Sequence, residues 1–378
     1  MMRPCQKIEL APVRTAEDLR RFIAVADRLG HGDAAYIAPL YRQQHEMLSK
    51  ERNPYFRHAE AEFWLAQRDG RDVGRISAQL ERGQAGQGGH FGMLAAEDDP
   101  AVFAALLGAV ESWHRSRGTT LVSGPYNLSI NEALGVLVQG FESPPMLLMG
   151  HDRPYVGERL EEQGYSREKD LLAYLYHINT EFPAVIRQML DRKLPEALTI
   201  RPLNLSRYRE EVRNISDIFN DAWAGNWGFV PLSETDADQL ARQFRLLINE
   251  RLIWFAEFTG RPIGFIVALP NLNEAIRDLG GRLLPFGWIK LLWRLKVAGV
   301  RSARVPLMGL RRSFSSGLLG SLVPFLLIDA VRREGRKLGF ETIELSWILE
   351  DNVSMRRINE AIGSAPYKTY RVYAKALT

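Results

Sequence analysis

Several stretches of this 378-residue chain carry residue types spaced for chemistry. Ala303–Leu310 (ARVPLMGL) reads as a strand. It leads through Arg311-Arg312-Ser313-Phe314-Ser315-Ser316-Gly317-Leu318-Leu319-Gly320 into a helix predicted over Ser321–Leu338. Strand, glycine-bearing loop and helix is a phosphate-cradling arrangement, because loop amides and the helix N-terminus point at the anion. The next strand, Glu341–Leu349, ends in Glu350-Asp351-Asn352. On it Glu344 faces away from Ile343, Leu345 and Trp347, which makes it a candidate general base alongside Glu257 and Glu132. Asn220–Pro231 holds Trp223, Asn226, Trp227 and Phe229, which suit an apolar pocket with one orienting amide, or a local aromatic cluster that pins a loop. Gly124–Glu132 (GPYNLSINE) sets Asn127, Ser129 and Asn131 at the end of a strand, Leu121–Gly124. It fits a substrate site, and equally a loop whose Asn and Ser satisfy their own backbone. The seven His residues form no metal-spaced pair and Cys5 has no partner, so no metal is expected.

The elements that must position these residues repeat. Ile253–Ala268 (IWFAEFTGRPIGFIVA) reads as two short strands joined at Thr259-Gly260-Arg261-Pro262. The same pattern occurs 190 residues earlier as Phe63–Ala78, with seven of sixteen positions identical: Trp64/Trp254, Ala66/Ala256, Gly70/Gly260, Arg71/Arg261, Gly74/Gly264, Ile76/Ile266 and Ala78/Ala268. A second echo joins Glu111–Ser123 to Val331–Ser346, each a helix end, a stopping glycine (Gly118, Gly339) and a strand. Two copies at one spacing imply a duplicated unit. The remaining pattern predicts a strand at Ile8–Val13, helices at Ala16–Leu29 and Pro100–Arg117, and a closing strand at Asp170–Ile178. It then predicts helices at Glu181–Leu190, Tyr208–Trp223 and Ser233–Glu250. The glycines of 83–92 are not read as a phosphate loop, because a strand, Phe91–Ala95, follows them rather than a helix.

This order resembles the fold of the GCN5-related N-acetyltransferases (GNAT), which bind acyl-CoA. The chain is similar to two such domains in tandem, an α/β fold with mixed sheets divided as 1–178 and 179–378. The resemblance implies an acyl-CoA site in the second domain, with backbone N–H groups near Met308, Gly309 and Leu310 polarising the thioester carbonyl. The family pattern R/Q-x-x-G-x-G/A falls here on Ser315, Leu318 and Gly320. Only Gly320 matches; Gly317 is displaced by one, and Ser316, Arg311 and Arg312 supply the rest of the grip. Asn352 matches the family asparagine that contacts the CoA arm. Asn359 stands where many members carry a tyrosine that protonates the leaving thiolate; an amide cannot do so, which leaves solvent, Tyr367 or Tyr370. In the first domain Glu97-Asp98-Asp99 precedes the equivalent helix and would repel a pyrophosphate, so that domain is not expected to hold CoA. More narrowly, GPYNLSINEALGVLVQGFESPP, NWGFVPL, PFGWIKLL and SWILEDN resemble a bacterial family of about this length that includes the bacterial ceramide synthases. That likeness implies an acyl-CoA-dependent N-acyltransferase acting on a long-chain amine, most naturally a sphingoid base. An acetyltransferase of a small amine or peptide, and a non-catalytic acyl-CoA- or lipid-binding protein, are the alternatives.

Composition narrows the setting. Hydrophobic residues make up 46% and charged residues 25%, as in a globular protein of two domains. The N-terminus is interrupted by Arg3, Lys7 and Glu9, and no window reaches the ~18 apolar residues of a spanning helix. The expectation is a cytoplasmic protein. The net charge of +4 is local: Leu279–Ile328 contains eight basic residues and no acid. One-signed charge in one place suggests an anionic ligand or surface rather than a nucleic-acid coat. Within it Arg282–Val300 (RLLPFGWIKLLWRLKVAGV) reads as a helix apolar nearly all round. Mixed aromatics, Lys and Arg fit a segment lying on an anionic membrane at the inner face of the inner membrane; a helix wedged between the domains is the other reading.

Overall fold

A computed structural model describes residues 7–82, 88–130, 132–243 and 245–377. Cys5, the glycine-rich 83–87 and Asn131 lie outside the described residues. The chain forms two compact units: Met1–Leu171 with Ile276–Trp288 and Lys368–Thr378, and Leu172–Ala275 with Ile289–Tyr367. This differs from a cut into consecutive stretches at 178. The C-terminal strand Ala365–Ala376 pairs antiparallel with Leu121–Gly124, and Tyr373 and Leu377 are buried in the first unit's core. Apolar burial of those two residues ties the chain end to the first unit.

The first unit is a sheet covered on both faces. Its strands run Glu9–Pro12, Ala59–Arg68, Arg71–Glu81, Gly89–Ala96, Leu121–Gly124, and then the C-terminal strand. Side chains alternate along Ala59–Arg68. Phe63 and Leu65 pack with Phe22, Ile23 and Val25 of helix Ala16–Gly30. Ala66 packs, with Ile76 and Ala78, against Val102, Phe103 and Leu106 of helix Pro100–Arg115. A capping box between Thr15 and Asp18 starts the first of these helices.

The second unit has the order Leu198–Pro202, Ile253–Phe258, Arg261–Pro270, Ser302–Leu310, Thr342–Leu349. Helix Tyr208–Trp223 packs on one face and helix Gly317–Lys337 on the other. The duplicated hairpin is present in both units down to its irregularities. Both turns are two-residue turns with positive φ at both positions, Asp69 and Gly70 (51° and 74°) and Thr259 and Gly260 (50° and 75°). Both returning strands then bulge at the same residue: Ala66↔Gly74 follows Gln67↔Asp72, and Ala256↔Gly264 follows Glu257↔Pro262, leaving Val73 and Ile263 extra.

Three helix expectations change. The helix expected from Ser321 begins at Gly317. The segment 282–300 is not one helix: only Gly287–Trp293 is α-helical, and Arg294–Ala298 forms a wider π turn. Pro285, which lacks an N–H and disfavours helical backbone at the residue before it, precedes the helix, and Gly299 has a φ of 76° after it. The helix expected over Ser233–Glu250 ends at Gln243.

Candidate acyl-transfer site

The central strand of the second unit opens the site. Ser302–Leu310 and Thr342–Leu349 run parallel but pair only from Ser302↔Thr342 to Val305↔Leu345. Pro306 comes next and has no N–H to give. Against its other neighbour the same strand bulges there, since Val267 faces Leu307 while Leu269 faces Arg304. Beyond this point the two parallel strands no longer pair. Arg311 N–H donates to Ile263 C=O (2.8 Å), and Phe265 faces Gly309 in the same ladder. Antiparallel alternation then spends the Gly309 N–H on Phe265 and turns those of Met308 and Leu310 toward the parted strand. Of the three expected carbonyl donors, Met308 and Leu310 keep that role open and Gly309 does not.

Gly309 has a different task. A Cβ there would lie 2.5 Å from the Trp223 ring. Trp223 stacks on Phe219 at 4.8 Å and neighbours Phe265 at 6.4 Å; Phe229 lies 5.9 Å from Phe219. The aromatic segment therefore packs onto the strand at the opening. Asn220 holds it there, its amide donating to Leu232 C=O (3.0 Å) and accepting from Leu232 N–H (2.8 Å). Asn226 and Trp227 are half-buried on the intervening turn, where Asn226 N–H donates to Trp223 C=O. These contacts are those of the pinned-loop reading.

The loop that follows the strand is open to solvent. Arg312, Ser315, Ser316, Gly317 and Leu318 are all exposed. Ser316 occupies the N-cap of a 21-residue helix and makes no side-chain cap bond. The first-turn N–H groups of Gly317, Leu318 and Leu319 have no partners within the helix. Ser315 instead donates to Arg312 C=O (2.8 Å), and a Cβ at Gly320 would lie 2.2 Å from the Ser315 carbonyl oxygen, so only glycine lets loop and helix meet. Arg311 donates to Pro262 C=O (3.1 Å), and Arg312 sits 3.6 Å from Asp221, whose carboxylate also accepts the Arg312 N–H. Asn352 is the N-cap of helix Val353–Ala361, its Oδ1 accepting from Met355 N–H (3.1 Å).

Two of the expected catalytic residues meet. Tyr367 donates a short hydrogen bond to Glu344 Oε2. Glu344 is completely buried; Ser346 donates to its Oε1 (2.6 Å) and Arg304 lies 3.6 Å from the same oxygen. Arg304, 2% exposed, also bonds Ser346 Oγ (2.9 Å) and C=O (3.2 Å) and lies over the Trp347 ring at 5.2 Å. Only Tyr367 and Trp347 among these residues are partly exposed. A carboxylate taken out of water is costly unless paired and hydrogen-bonded, as here. The partners Arg304 and Ser346 escaped the sequence reading; the signal was one arginine inside the otherwise apolar ARVPLMGL strand. Glu257 is held by Arg201 (2.7 Å), which also grips Glu211, and Glu257 thereby serves an ion-pair cluster.

The first unit has the same opening, filled by its own chain. Gly89–Ala96 and Leu121–Gly124 pair in parallel only at Gly89↔Val122 and His90↔Ser123. Tyr126 N–H then donates to Phe91 C=O (2.7 Å), Asn127 Oδ1 accepts from Met93 N–H (2.9 Å), and a Cβ at Gly92 would lie 1.7 Å from Tyr126 O. Asn127 thus spends its carbonyl on the strand. The following helix is capped by Asp99, whose Oδ1 accepts from Ala101 N–H (2.8 Å). The acids here do not stand alone: Asp99 pairs with Arg68, Glu97 with Arg28 and Arg71, and Asp98 with Arg159. The first turn of this helix is thus met by the chain's own carboxylate. Ser129 C=O accepts from Glu132 N–H (3.2 Å). Burial pushes His90 and His114 down to about 4, so both are neutral near pH 7. Among the described residues no His, Cys, Asp or Glu cluster could hold a metal.

Glu132 is half-buried, and burial raises its carboxyl to about 7. A raised carboxyl stays protonated while the unfolded chain ionises, so stability falls from about pH 4.5 to about pH 7 and is flat above. Glu132→Gln should therefore stabilise the protein by on the order of 2 kcal/mol at pH 8, with most of the gain absent at pH 5. Urea melts of both proteins at the two pH values check this; equal stability at pH 8 would contradict the burial argument.

No family model matches the chain. Among curated proteins it is 50% identical to the bacterial ceramide synthase of Caulobacter vibrioides, over 98% of each chain. It is 43% identical to Protein YghO of Escherichia coli, over 95% of this chain and 93% of that one. Among solved structures it superposes on a tandem GNAT protein from the clavulanic acid biosynthesis pathway with a TM-score of 0.57, 14% identity and coverage of 98% and 99%. A GCN5-related N-acetyltransferase from Sphaerobacter thermophilus gives 0.56, 12% and coverage of 98% and 96%. These structures establish the tandem GNAT fold, and the sequence relatives establish the family. The chain belongs to the bacterial ceramide synthase family and is an acyltransferase.

Proposed function

We propose that the protein transfers a long acyl chain from acyl-CoA to the amine of a sphingoid base, in the second unit alone. The observation that carries the reading is the uncapped N-terminus of Gly317–Lys337 beside two strands that part after Val305 and Leu345. The first-turn amides and Arg311 and Arg312 hold the CoA pyrophosphate, with Asn352 near its arm. The Met308 and Leu310 N–H groups polarise the thioester carbonyl as a neutral amine attacks. The aromatic group Trp223, Trp227 and Phe229, with the Asn226 amide, borders the apolar acceptor. Tyr367 takes the ammonium proton as it passes its own to Glu344, and CoA leaves as the thiolate. Glu132 and Ser129 belong to the first unit and take no part in this reading. Because a sphingoid base partitions into a bilayer, the protein works in the cytoplasm at the inner face of a membrane, reached through Arg282–Val300.

The test is purified protein with a long-chain acyl-CoA and a sphingoid base in micelles, read by mass spectrometry. The expected result is N-acylated base with one CoA released per product, and one acyl-CoA bound per chain. Product from small amines but not from the long-chain base would replace the reading with a small-amine acetyltransferase. Acyl-CoA binding that survives loss of the second unit's loop but not Asp99→Arg would move the site to the first unit.

A further inference from the structure

Half of the exposed large hydrophobic residues among the described residues sit in one short segment. Among the described residues fourteen large apolar side chains are exposed, and seven of them fall within positions 284–297: Leu284, Phe286, Trp288, Ile289, Leu292, Trp293 and Val297. Leu284, Phe286 and Val297 are each more than 70% exposed. A monomer rarely leaves such side chains contiguous without a partner for them. Helix Gly287–Trp293 shows how they are presented. Trp288 and Leu292 form one row at i, i+4 and Ile289 and Trp293 the next, both outward, while Leu291 is buried. The helix is seven residues long, and no helix among the described residues is long and apolar enough to cross a membrane. The surface can therefore be laid on an apolar phase but not pass through it.

Charge decides what covers it. Arg282, Lys290 and Lys296 are exposed around these side chains, Arg294 is turned in to Ala275 C=O (2.7 Å), and no acid occurs from Leu279 to Ile328. A second copy meeting the same patch about a two-fold axis would bring these cations against one another. An anionic bilayer meets them with opposite charge and takes the aromatic rings at headgroup depth. We infer that Leu284–Val297, rimmed by Arg282, Lys290 and Lys296, is the surface through which this protein docks on an anionic lipid bilayer. The docking rests on the membrane part of the reading above and not on the acyl-transfer chemistry.

Flotation with vesicles of phosphatidylglycerol and phosphatidylcholine, against phosphatidylcholine alone, tests it. Wild type should float with the anionic vesicles at least about fivefold more than with neutral ones, and salt should weaken this, since exposed charges are screened within about 8 Å at physiological ionic strength. Trp288→Ser with Trp293→Ser should abolish flotation at every salt. Lys290→Glu with Lys296→Glu should abolish the anionic preference. Thermal melts of both variants should match wild type, because the changed side chains are exposed. Wild type that stays unfloated with anionic vesicles at low salt overturns the inference. So does a concentration-dependent dimer that the tryptophan pair abolishes, which would make the partner a second copy. Acyl transfer to a micellar base, measured on the same variants, should be retained; its loss in wild type as well would remove the acyl-transfer reading while leaving flotation to stand.

Discussion

Gly320→Ala should cost at least about 100-fold in acyl-CoA affinity, ~2.7 kcal/mol, with little change in the thermal midpoint. The added Cβ would lie 2.2 Å from the Ser315 carbonyl oxygen and 2.4 Å from its carbon. Both are backbone atoms, so no rotamer relieves the clash. The loop must move away from the first turn of Gly317–Lys337, and the amides that converge on the pyrophosphate diverge. The fold is spared because Ser315–Leu318 are exposed, while the helix is anchored further on by Leu322, Val323 and Leu327. Calorimetric titration with acyl-CoA and with free CoA, beside a melt, checks it. Both ligands should lose affinity alike, because the loss is at the phosphates. Retained affinity in a folded variant would place the anion elsewhere.

Tyr367→Phe should lower kcat by about 10²–10³ with KM within a few-fold, the size of an acid–base contribution. The variant keeps the ring and removes the hydroxyl that donates to Glu344 Oε2. Glu344→Gln would be a poorer probe of chemistry. It leaves the Arg304 guanidinium, 2% exposed, without its counter-charge and should destabilise the unit by about 3–5 kcal/mol. Steady-state kinetics of the tyrosine variant with a long-chain base settle the matter. Unchanged kcat would release Tyr367 and Glu344 from the proton path.

The duplicated hairpin shows how far local sequence reaches. Two positive-φ turn residues and a bulge two pairs past the turn are short-range features. Asp69-Gly70 suits such a turn by itself, whereas Thr259, β-branched at a φ of 50°, is held there by the pairing of the strands on either side. The strand–loop–helix order around Gly320 was legible from its glycines and the periodic apolar run that follows, although Gly320 itself falls in the first turn of the helix rather than in the loop. Likewise the one-signed composition of Leu279–Ile328 was visible in the residues themselves.

What only the tertiary structure decided are matters of pairing between distant residues. The acids at 97–99 and the stretch around Asn127 look like a repulsive guard and a possible substrate loop until Arg68, Arg28, Arg71 and Arg159 close on the first and Met93 on the second. No periodicity reports that an opening between strands is filled by the chain's own backbone. The C-terminal strand joined the first unit because Tyr373 and Leu377 find their buried surface there, although both lie more than 200 positions beyond Leu171 and a consecutive division at 178 would assign them to the second domain. Glu344 and Tyr367 were each legible as polar groups near strand ends. Their contact, and the buried Arg304 and Ser346 that make a fully buried carboxylate tolerable, come from three separate strands whose register sequence spacing does not encode.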